Sequence, residues 1–323
     1  MIVDVHTHML TEDYLDLLRR EGGPDYTFRT LPGGGEVIDK CGVPFFTLLP
    51  PMWDFDQRIR DMDAAGVDVS VISLTSPNAI FPDADLGRRA ARLMNDAFAE
   101  ARTAHPDRLR WFASLPWTDP TAAVEELLRA VALGASGVIA VATVDGTPLT
   151  DRAFAPIWAA IDAAGLPVFL HPSVPPGGEA LGLGDYNLSP PVGFVFDTTL
   201  AISRMLYDGF FDRYPNLHMI LAHGGGTLPF LIGRLDICHE RIPACAAGTN
   251  NRPSRFLDRI YLDSVVYTKG ALDLCIETVG ADRILFGSDY PHNIGDMKGR
   301  LDLLRASAAA HEGAAASLFG LLD

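Results

Sequence analysis

The sequence at residues 2–8 is IVDVHTH, a short run of β-branched and apolar residues that ends in two histidines. Runs of this kind are typical of strands in a buried parallel sheet. Seven further runs of the same character lie at residues 68–74, 109–115, 136–143, 167–171, 218–223, 259–265 and 283–289. The sequence therefore predicts eight buried strands.

A segment with helical periodicity follows each predicted strand. These segments are residues 54–65, 84–105, 119–133, 151–164, 196–214, 225–241, 269–280 and 296–308. The third has a clear start signal, because Asp119 is suited to cap the helix and Pro120 to occupy its first position. Eight strand–helix units predict an α/β fold, a closed (β/α)₈ barrel of the TIM type. A doubly wound open sheet is the second possibility.

Two stretches interrupt this alternation. Residues 11–53 contain several glycine and proline turns with strand-like pieces at 26–29 and 35–39, and predict an insertion after the first strand. Residues 172–195 predict a long irregular loop after the fifth strand, and such loops are most often functional. Both follow the carboxyl end of a strand, where a lid would lie. We interpret residues 1–323 as one barrel domain with this insertion.

Composition limits the classes of partner. The 323 residues contain 26 Lys and Arg against 41 Asp and Glu, which gives a formal charge of −15. A field of this sign argues against nucleic acid and anionic membranes as partners. The sequence shows neither a secretory signal nor a long apolar span, and its four cysteines form no CxxC pair. We therefore expect reduced thiols and a cytoplasmic location.

Ligand-type side chains stand at the ends of several predicted strands. His6 and His8 are two residues apart, so both side chains project from the same face of the first strand. His171, His223 and Asp289 end the fifth, sixth and eighth strands. The carboxyl ends of the strands are where barrel enzymes build their sites, and imidazoles with one carboxylate suit zinc or another first-row divalent metal. A single histidine at a strand end is usually structural, but this combination favours a metal site.

Two neighbouring features are less decisive. Gly224-Gly225-Gly226 follows His223 without the spacing of a phosphate-binding loop, so the glycines are better suited to a sharp turn beneath the site. His292 stands three residues after Asp289, and its role stays open at this point.

Several motifs together resemble a known family. In chain order they are Asp4-Val5-His6-Thr7-His8, Met62-Asp63-Ala64-Ala65-Gly66-Val67-Asp68, His171-Pro172, Ala222-His223-Gly224-Gly225-Gly226, Gly233-Arg234-Leu235-Asp236 and Gly287-Ser288-Asp289-Tyr290-Pro291. The combination resembles the amidohydrolase superfamily. Within it, the sequence is most similar to the branch of aminocarboxymuconate-semialdehyde decarboxylase and related metal-dependent aromatic decarboxylases.

The resemblance implies a mononuclear metal enzyme without an organic cofactor. By analogy, one divalent ion would be held by His6, His8, His171 and Asp289, with Zn²⁺ expected and Mn²⁺ as the alternative. His223 would stand beside the metal without binding it, and would handle a proton of the metal-bound water or of the substrate.

The resemblance also implies a homodimer, in which Arg234 reaches into the neighbouring subunit's site and binds a substrate carboxylate. The alternative from the sequence is a surface arginine paired with Asp236 or Glu240.

One departure from the family pattern affects the expected substrate. The muconate enzyme has an arginine in an Arg-Pro segment before a Trp-Asp pair, whereas residues 42–46 here are GVPFF before Trp53-Asp54. Unless Arg29 replaces it, a dicarboxylate would lack a charge partner. We expect a more apolar pocket lined by Phe45, Phe46 and Trp53, which suits a monocarboxylated aromatic acid.

These expectations favour a non-oxidative decarboxylase that acts on a small hydroxylated aromatic or unsaturated cyclic or conjugated acid. Asp289 or His223 would supply the proton that replaces the carboxyl group. A metal-dependent hydrolase of an ester, lactone or amide is the alternative, and a hydratase is a further one. A scaffold protein without activity would leave five ligand-type residues at strand ends without a purpose.

Overall fold

The computed structural model describes residues 1–40, 42–307 and 313–321. Its centre is a sheet of eight parallel strands in chain order. The strands are Val3–Met9, Val69–Leu74, Leu109–Ala113, Gly137–Val141, Val168–His171, Met219–Leu221, Ile260–Asp263 and Ile284–Leu285. Backbone hydrogen bonds from Val5 to Phe286 (2.9 Å) and from His8 to Tyr290 (2.7 Å) join the first strand to the segment that leaves the eighth. The sheet thus closes on itself, and the predicted barrel is confirmed over the open-sheet alternative.

Helices surround the barrel. They are Phe55–Ala65, Ala84–Ala104, Pro120–Ala132, Ala155–Ala164, Phe194–Tyr207, Phe210–Arg213, Leu228–Arg241, Lys269–Val279 and Met297–Arg305, with a short helix Ala314–Leu318 near the end. The predicted helix over 196–214 is in fact two helices, because Gly209 adopts a φ of 69° between them. The prediction over 296–308 agrees as far as Arg305, and residue 308 lies outside the described residues.

The barrel interior below the site is aromatic and aliphatic. The rings of Phe112 and Phe169 stack with centroids 5.5 Å apart, and Phe169 in turn contacts His6 with centroids 4.9 Å apart. At the other end, Phe319 packs against Phe112 from the terminal segment. The histidines of the first strand therefore lie directly above a closely packed apolar interior.

The predicted insertion has more regular structure than expected. A helix, Glu12–Glu21, begins at Thr11, whose hydroxyl accepts a hydrogen bond from the Tyr14 amide at 3.1 Å. Three antiparallel strands follow, Tyr26–Thr30, Glu36–Lys40 and Val43–Thr47, and then a 3₁₀ turn, Pro50–Met52. The helix and the third strand were not predicted from the sequence, because the glycines and prolines around them dominate the local pattern.

The predicted loop over 172–195 is irregular for most of its length. It contains a 3₁₀ turn, Asp185–Asn187, and one wide helical turn, Ser189–Gly193, that leads into the helix beginning at Phe194. A small two-stranded ribbon, Thr143–Val144 with Thr147–Pro148, lies after the fourth barrel strand. Within the described ranges, no helix has the length and apolar character needed to span a membrane.

Candidate metal centre

Three donor atoms converge at the carboxyl end of the first strand. The Nε2 atoms of His6 and His8 lie 3.2 Å apart, and Asp289 Oδ1 lies 3.2 Å from the first and 3.4 Å from the second. All three side chains are at least 95% buried. A His171 nitrogen joins the same group, with donor atoms of His6, His223 and Asp289 within 4.8 Å of one another. Such a set of nitrogen and carboxylate donors around one point fits a first-row divalent cation.

Asp263 orients His6 and the strand end beside it. Its Oδ2 lies 2.5 Å from His6 Nδ1 and accepts the backbone amide of His223 at 2.9 Å, while Oδ1 accepts the amide of Gly224 at 2.7 Å. Because His6 Nδ1 is committed to this carboxylate, Nε2 is the nitrogen that faces the converging donors. The sequence analysis missed Asp263, although it ends the seventh strand and could have been found by the same criterion as Asp289.

The other two histidines are fixed in the same way. His8 Nδ1 lies 3.1 Å from the hydroxyl of Ser73, whose own proton goes to the Thr7 carbonyl at 3.2 Å. His171 Nδ1 donates to the carbonyl of Pro172 at 2.9 Å. In both residues Nδ1 therefore carries the proton and Nε2 keeps a lone pair available to a metal.

The ionisation of the cluster agrees with this donor set. Burial lowers the pKa of His8 to about 3 and lowers that of His171 as well, so both imidazoles are neutral. Burial alone would raise the pKa of Asp289, but His6 and hydrogen bonds from the surrounding histidines hold it well below its ordinary value. Burial opposes a charge on His6 too, yet Asp289 and Asp263 raise its pKa to about 10. The two carboxylates thus favour a positive charge at this point, which a divalent ion can supply in place of a proton.

His223 stands at the edge of the cluster. Its Nε2 lies 3.7 Å from Asp289 Oδ2, and its side chain is 11% exposed. Its Nδ1 is buried without a hydrogen-bond partner among the residues described. The backbone of His223 has a φ of 56°, and Gly224, Gly225 and Gly226 continue with positive φ. The sharp turn expected of these glycines is present, and a Cβ on Gly224 would lie 2.6 Å from Val266 Cγ1.

Arg58 supports the first strand through buried hydrogen bonds. It is fully buried, donates to Thr7 Oγ1 at 2.5 Å and to the His8 carbonyl, and lies 4.8 Å from the ring centroid of Tyr290. It therefore links the strand of His6 and His8 to the segment of Asp289. The sequence analysis missed it, because a charged residue on an amphipathic helix is usually exposed.

A cavity of about 270 Å³ opens at the same end of the barrel. The insertion contributes Tyr26, Lys40 and Phe45 to its wall, while Ser76 and Ser173 come from loops after the second and fifth strands. Its volume is near the lower end of about 300–1,000 Å³ for small-molecule pockets, so a single-ring ligand suits it. Lys40, which the sequence analysis did not single out, lies with Nζ 5.8 Å from the ring centroids of Tyr26 and Phe45.

Asp197 supports the loop beside this cavity. Its Oδ2 accepts the Ser173 amide at 2.9 Å, and Oδ1 is buried with no hydrogen-bond partner in the described part of the chain. Burial raises the pKa of Asp197 to about 6, although the hydrogen bonds from Ser173 oppose the shift. Asp197 was not predicted as a site residue either, because it is one of many carboxylates in the predicted helices.

Only some of the aromatic residues predicted to line the pocket lie near the histidine cluster. Phe46 contacts His292 with ring centroids 5.7 Å apart, and His292 contacts His8 at 5.0 Å, so Phe46 borders the cluster. Trp53 lines a separate depression with Thr11 and Pro50. Its role as a substrate-binding residue stays a prediction.

Neither of the two arginines considered from the sequence lines the cavity. Arg29 pairs with both carboxylate oxygens of Asp39, at 3.0 and 3.1 Å, within the insertion sheet. Arg234 is exposed on the helix Leu228–Arg241. Its surface position agrees with the alternative interpretation, but among the described residues no ion pair joins it to Asp236 or Glu240; Glu240 pairs with Arg252, and Asp236 accepts the Ser254 amide at 2.9 Å.

Fold and donor set together define a barrel with a mononuclear metal centre at the carboxyl ends of its strands. A model of the amidohydrolase family matches residues 3–319, and the chain belongs to this family. The resemblance found from the sequence is thereby confirmed.

Individual relatives are decarboxylases. The 2-amino-3-carboxymuconate-6-semialdehyde decarboxylase of Dictyostelium discoideum is 29% identical over 309 residues, which cover 91% of this chain and 83% of the relative. The gamma-resorcylate decarboxylase of Rhizobium sp. (strain MTP-10005) is 34% identical over 256 residues, 73% of this chain and 76% of the relative. Among solved structures, the dihydroxybenzoic acid decarboxylase of Polaromonas sp. JS666, with bound manganese and the inhibitor 2-nitroresorcinol, has a TM-score of 0.81 and 25% identity, covering 99% of this chain and 97% of that one.

Proposed function

We propose that this protein is a metal-dependent decarboxylase that removes CO₂ from a small hydroxylated aromatic carboxylic acid without an oxidation step. The observation that carries the proposal is the convergence of His6 Nε2, His8 Nε2 and Asp289 Oδ1 within 3.4 Å of one another, at the end of the barrel where a cavity of about 270 Å³ opens. Relatives and structural neighbours that share this fold are decarboxylases of such acids. In the reaction the bond from ring carbon to carboxylate breaks, its electrons stay on the ring carbon, and a proton bonds there.

One divalent metal would be held by His6, His8, His171 and Asp289. When bound, such an ion fixes the carboxylate with a neighbouring oxygen and stabilises the charge that develops as CO₂ leaves. We propose zinc as the resident ion, because imidazole nitrogens with one carboxylate are among its ordinary ligands. Manganese is the alternative, supported by its presence in the Polaromonas structure.

His223 and Asp289 are proposed as the groups that hold and deliver the proton. Their facing atoms, Nε2 and Oδ2, are 3.7 Å apart, close enough to share a proton after a small movement of either side chain. His223 keeps 11% of its side chain exposed, so it can exchange protons with solvent between turnovers. The buried metal-facing histidines lack this access.

A homodimer completes the proposal. Arg234 is exposed on its own subunit and has no ion pair among the residues described. An arginine in this setting is free to bind a carboxylate in a neighbouring copy, as the resemblance to the muconate-semialdehyde decarboxylase branch implies.

The test is an assay of the metal-loaded protein with a panel of hydroxylated aromatic acids, in which CO₂ and the ring product are both measured. We expect equimolar CO₂ and decarboxylated product, loss of turnover after chelation, and recovery with zinc or manganese. Esters, lactones and amides are assayed in parallel. Hydrolysis of these compounds without CO₂ release from any acid would contradict the proposal and support the hydrolase alternative.

A further inference from the structure

His292 lies beside the metal centre on the segment that follows Asp289. Its Nε2 is 3.0 Å from the hydroxyl oxygen of Thr75, at the end of the second barrel strand. One of its ring nitrogens is within 4.8 Å of donor atoms of His8 and Asp289. The ring of Phe46 meets it edge-on at 5.7 Å. A polar side chain thus stands between an aromatic wall and the metal ligands.

The hydrogen bonds of His292 leave one nitrogen for a ligand. Thr75 engages Nε2, and Nδ1 has no hydrogen-bond partner within the described part of the chain. The Thr75 hydroxyl can either donate to Nε2 or accept from it, so Nδ1 can serve as a donor or as an acceptor. His292 is also partly exposed, whereas Thr75 is buried and is followed directly by Ser76 in the cavity wall.

We infer that His292, held by Thr75, binds a ring hydroxyl of the substrate and selects among hydroxylated aromatic acids. The inference rests on the proposed function, because it assumes that an aromatic acid binds at the metal at this end of the barrel. A ring hydroxyl is the group that fits, since it can both donate and accept and so matches either state of Nδ1. A pocket built to hydrogen-bond a hydroxyl also rejects the analogue that lacks it, because the pocket's own polar atom is then left without a partner.

Binding of unreactive ligands tests this without turnover. The manganese-loaded protein is titrated by calorimetry with 2-nitrophenol and with its derivatives that have a second hydroxyl at each remaining ring carbon in turn, including 2-nitroresorcinol. For at least one isomer we expect wild-type protein to bind about tenfold more tightly than it binds 2-nitrophenol, and we expect His292→Phe to abolish that preference. Thr75→Val should reduce the preference, because it removes the partner that orients the ring.

Two further readouts separate recognition from a structural role. His292→Asn places an amide near the position of Nδ1 and should keep part of the preference, whereas a purely structural histidine would show a change in melting temperature with no change in the preference. Metal content should stay at one ion per chain in all variants.

The inference is overturned if no isomer shows a preference that depends on His292, or if His292→Phe loses the metal, which would make His292 a ligand. Release of CO₂ by the wild-type protein decides the proposed function separately, so a failure of one is distinguishable from a failure of the other.

Discussion

His223 and Asp289 face each other at the edge of the candidate metal centre, and both have backbone conformations in the left-handed region, with φ of 56° and 58°. Their Nε2 and Oδ2 atoms are 3.7 Å apart. Residues other than glycine adopt this region at a cost of about 1–3 kcal/mol each. Surrounding hydrogen bonds hold the arrangement, from the His223 amide to Asp263 and from the Asp289 amide to the His6 carbonyl at 2.8 Å. These hydrogen bonds therefore hold both residues in a backbone conformation that an unconstrained loop would rarely adopt.

Replacement of His223 tests its role in proton transfer. We expect His223→Asn to lower kcat by about 10²- to 10⁴-fold, the usual contribution of a general acid or base, with metal content unchanged. Asparagine is chosen because it tolerates the left-handed backbone. His171→Ala should lose metal as well as activity, and His105→Asn, at the end of the helix Ala84–Ala104, is the control. Turnover retained in His223→Asn would refute the assignment.

Asp263→Asn tests the orientation of His6. In the amide, only one of the positions of Oδ1 and Oδ2 can still accept a hydrogen bond, and an N–H group at the Oδ2 position would face His6 Nδ1 and shift the His6 proton towards Nε2. We expect metal affinity to fall by about 10- to 100-fold, as is usual when the partner of a ligand histidine is lost. Competition with a chelator measures this, and Asp258→Asn, whose side chain is 52% exposed, should leave the affinity unchanged.

Arg58→Met tests whether the contacts of Arg58 stabilise the first strand against the Asp289 segment. The variant keeps an unbranched side chain but leaves the His8 carbonyl and Thr7 hydroxyl without their donor. We expect the free energy of unfolding to fall by about 3 kcal/mol, measured by urea denaturation. Arg60→Met on the same helix is exposed and should change it by less than about 0.5 kcal/mol. An equal effect of the two substitutions would exclude this stabilising role.

The raised pKa of Asp197 predicts a pH dependence of stability. Because its pKa is about 6 in the folded chain against an ordinary value of 3.8, the folded state binds the proton more tightly. Its contribution to stability is complete below about pH 4 and is lost as pH rises through 6.

Urea denaturation of wild type and Asp197→Asn from pH 4 to pH 7 checks this dependence. We expect the stability of wild type relative to the variant to fall by about 2 kcal/mol over this range. The same comparison with Asp302→Asn, an exposed carboxylate, should show no such change. If the difference in stability between wild type and Asp197→Asn does not change with pH, the raised pKa of Asp197 is contradicted.

Arg234→Ala tests the proposed contact across a dimer. Loss of a guanidinium that binds a substrate carboxylate should raise KM by about 30-fold, which corresponds to about 2 kcal/mol. Arg241→Ala, an exposed arginine on the same helix, is the control and should leave KM unchanged. Sedimentation should show a dimer in all three proteins. A monomeric wild-type enzyme with full activity would disprove the contact.

The sequence predicted the barrel because each strand is a compact apolar run that alternates with a segment of helical periodicity. His6, His8, His171 and Asp289 could then be found, since strand ends of a parallel barrel meet at one face. Arg58 and Asp197 could not be found, because their burial depends on which helix face meets the barrel, and a charged side chain gives no such signal.

The insertion shows a second limit. Its helix, Glu12–Glu21, and its third strand, Val43–Thr47, are short elements, and the glycine and proline turns around them dominate the local sequence pattern. Trp53 illustrates the same difficulty, because its neighbours in sequence do not determine which depression it lines.

Closure of the barrel through the contact between residues 5–8 and 286–290 has a consequence for biosynthesis. His8 and Asp289 are separated by 281 residues of chain. At about 5–20 residues per second, a ribosome needs roughly 15 to 60 seconds between them, and until the later residue emerges the donor set is incomplete. Binding of an ion by the complete proposed ligand set therefore cannot precede synthesis of Asp289.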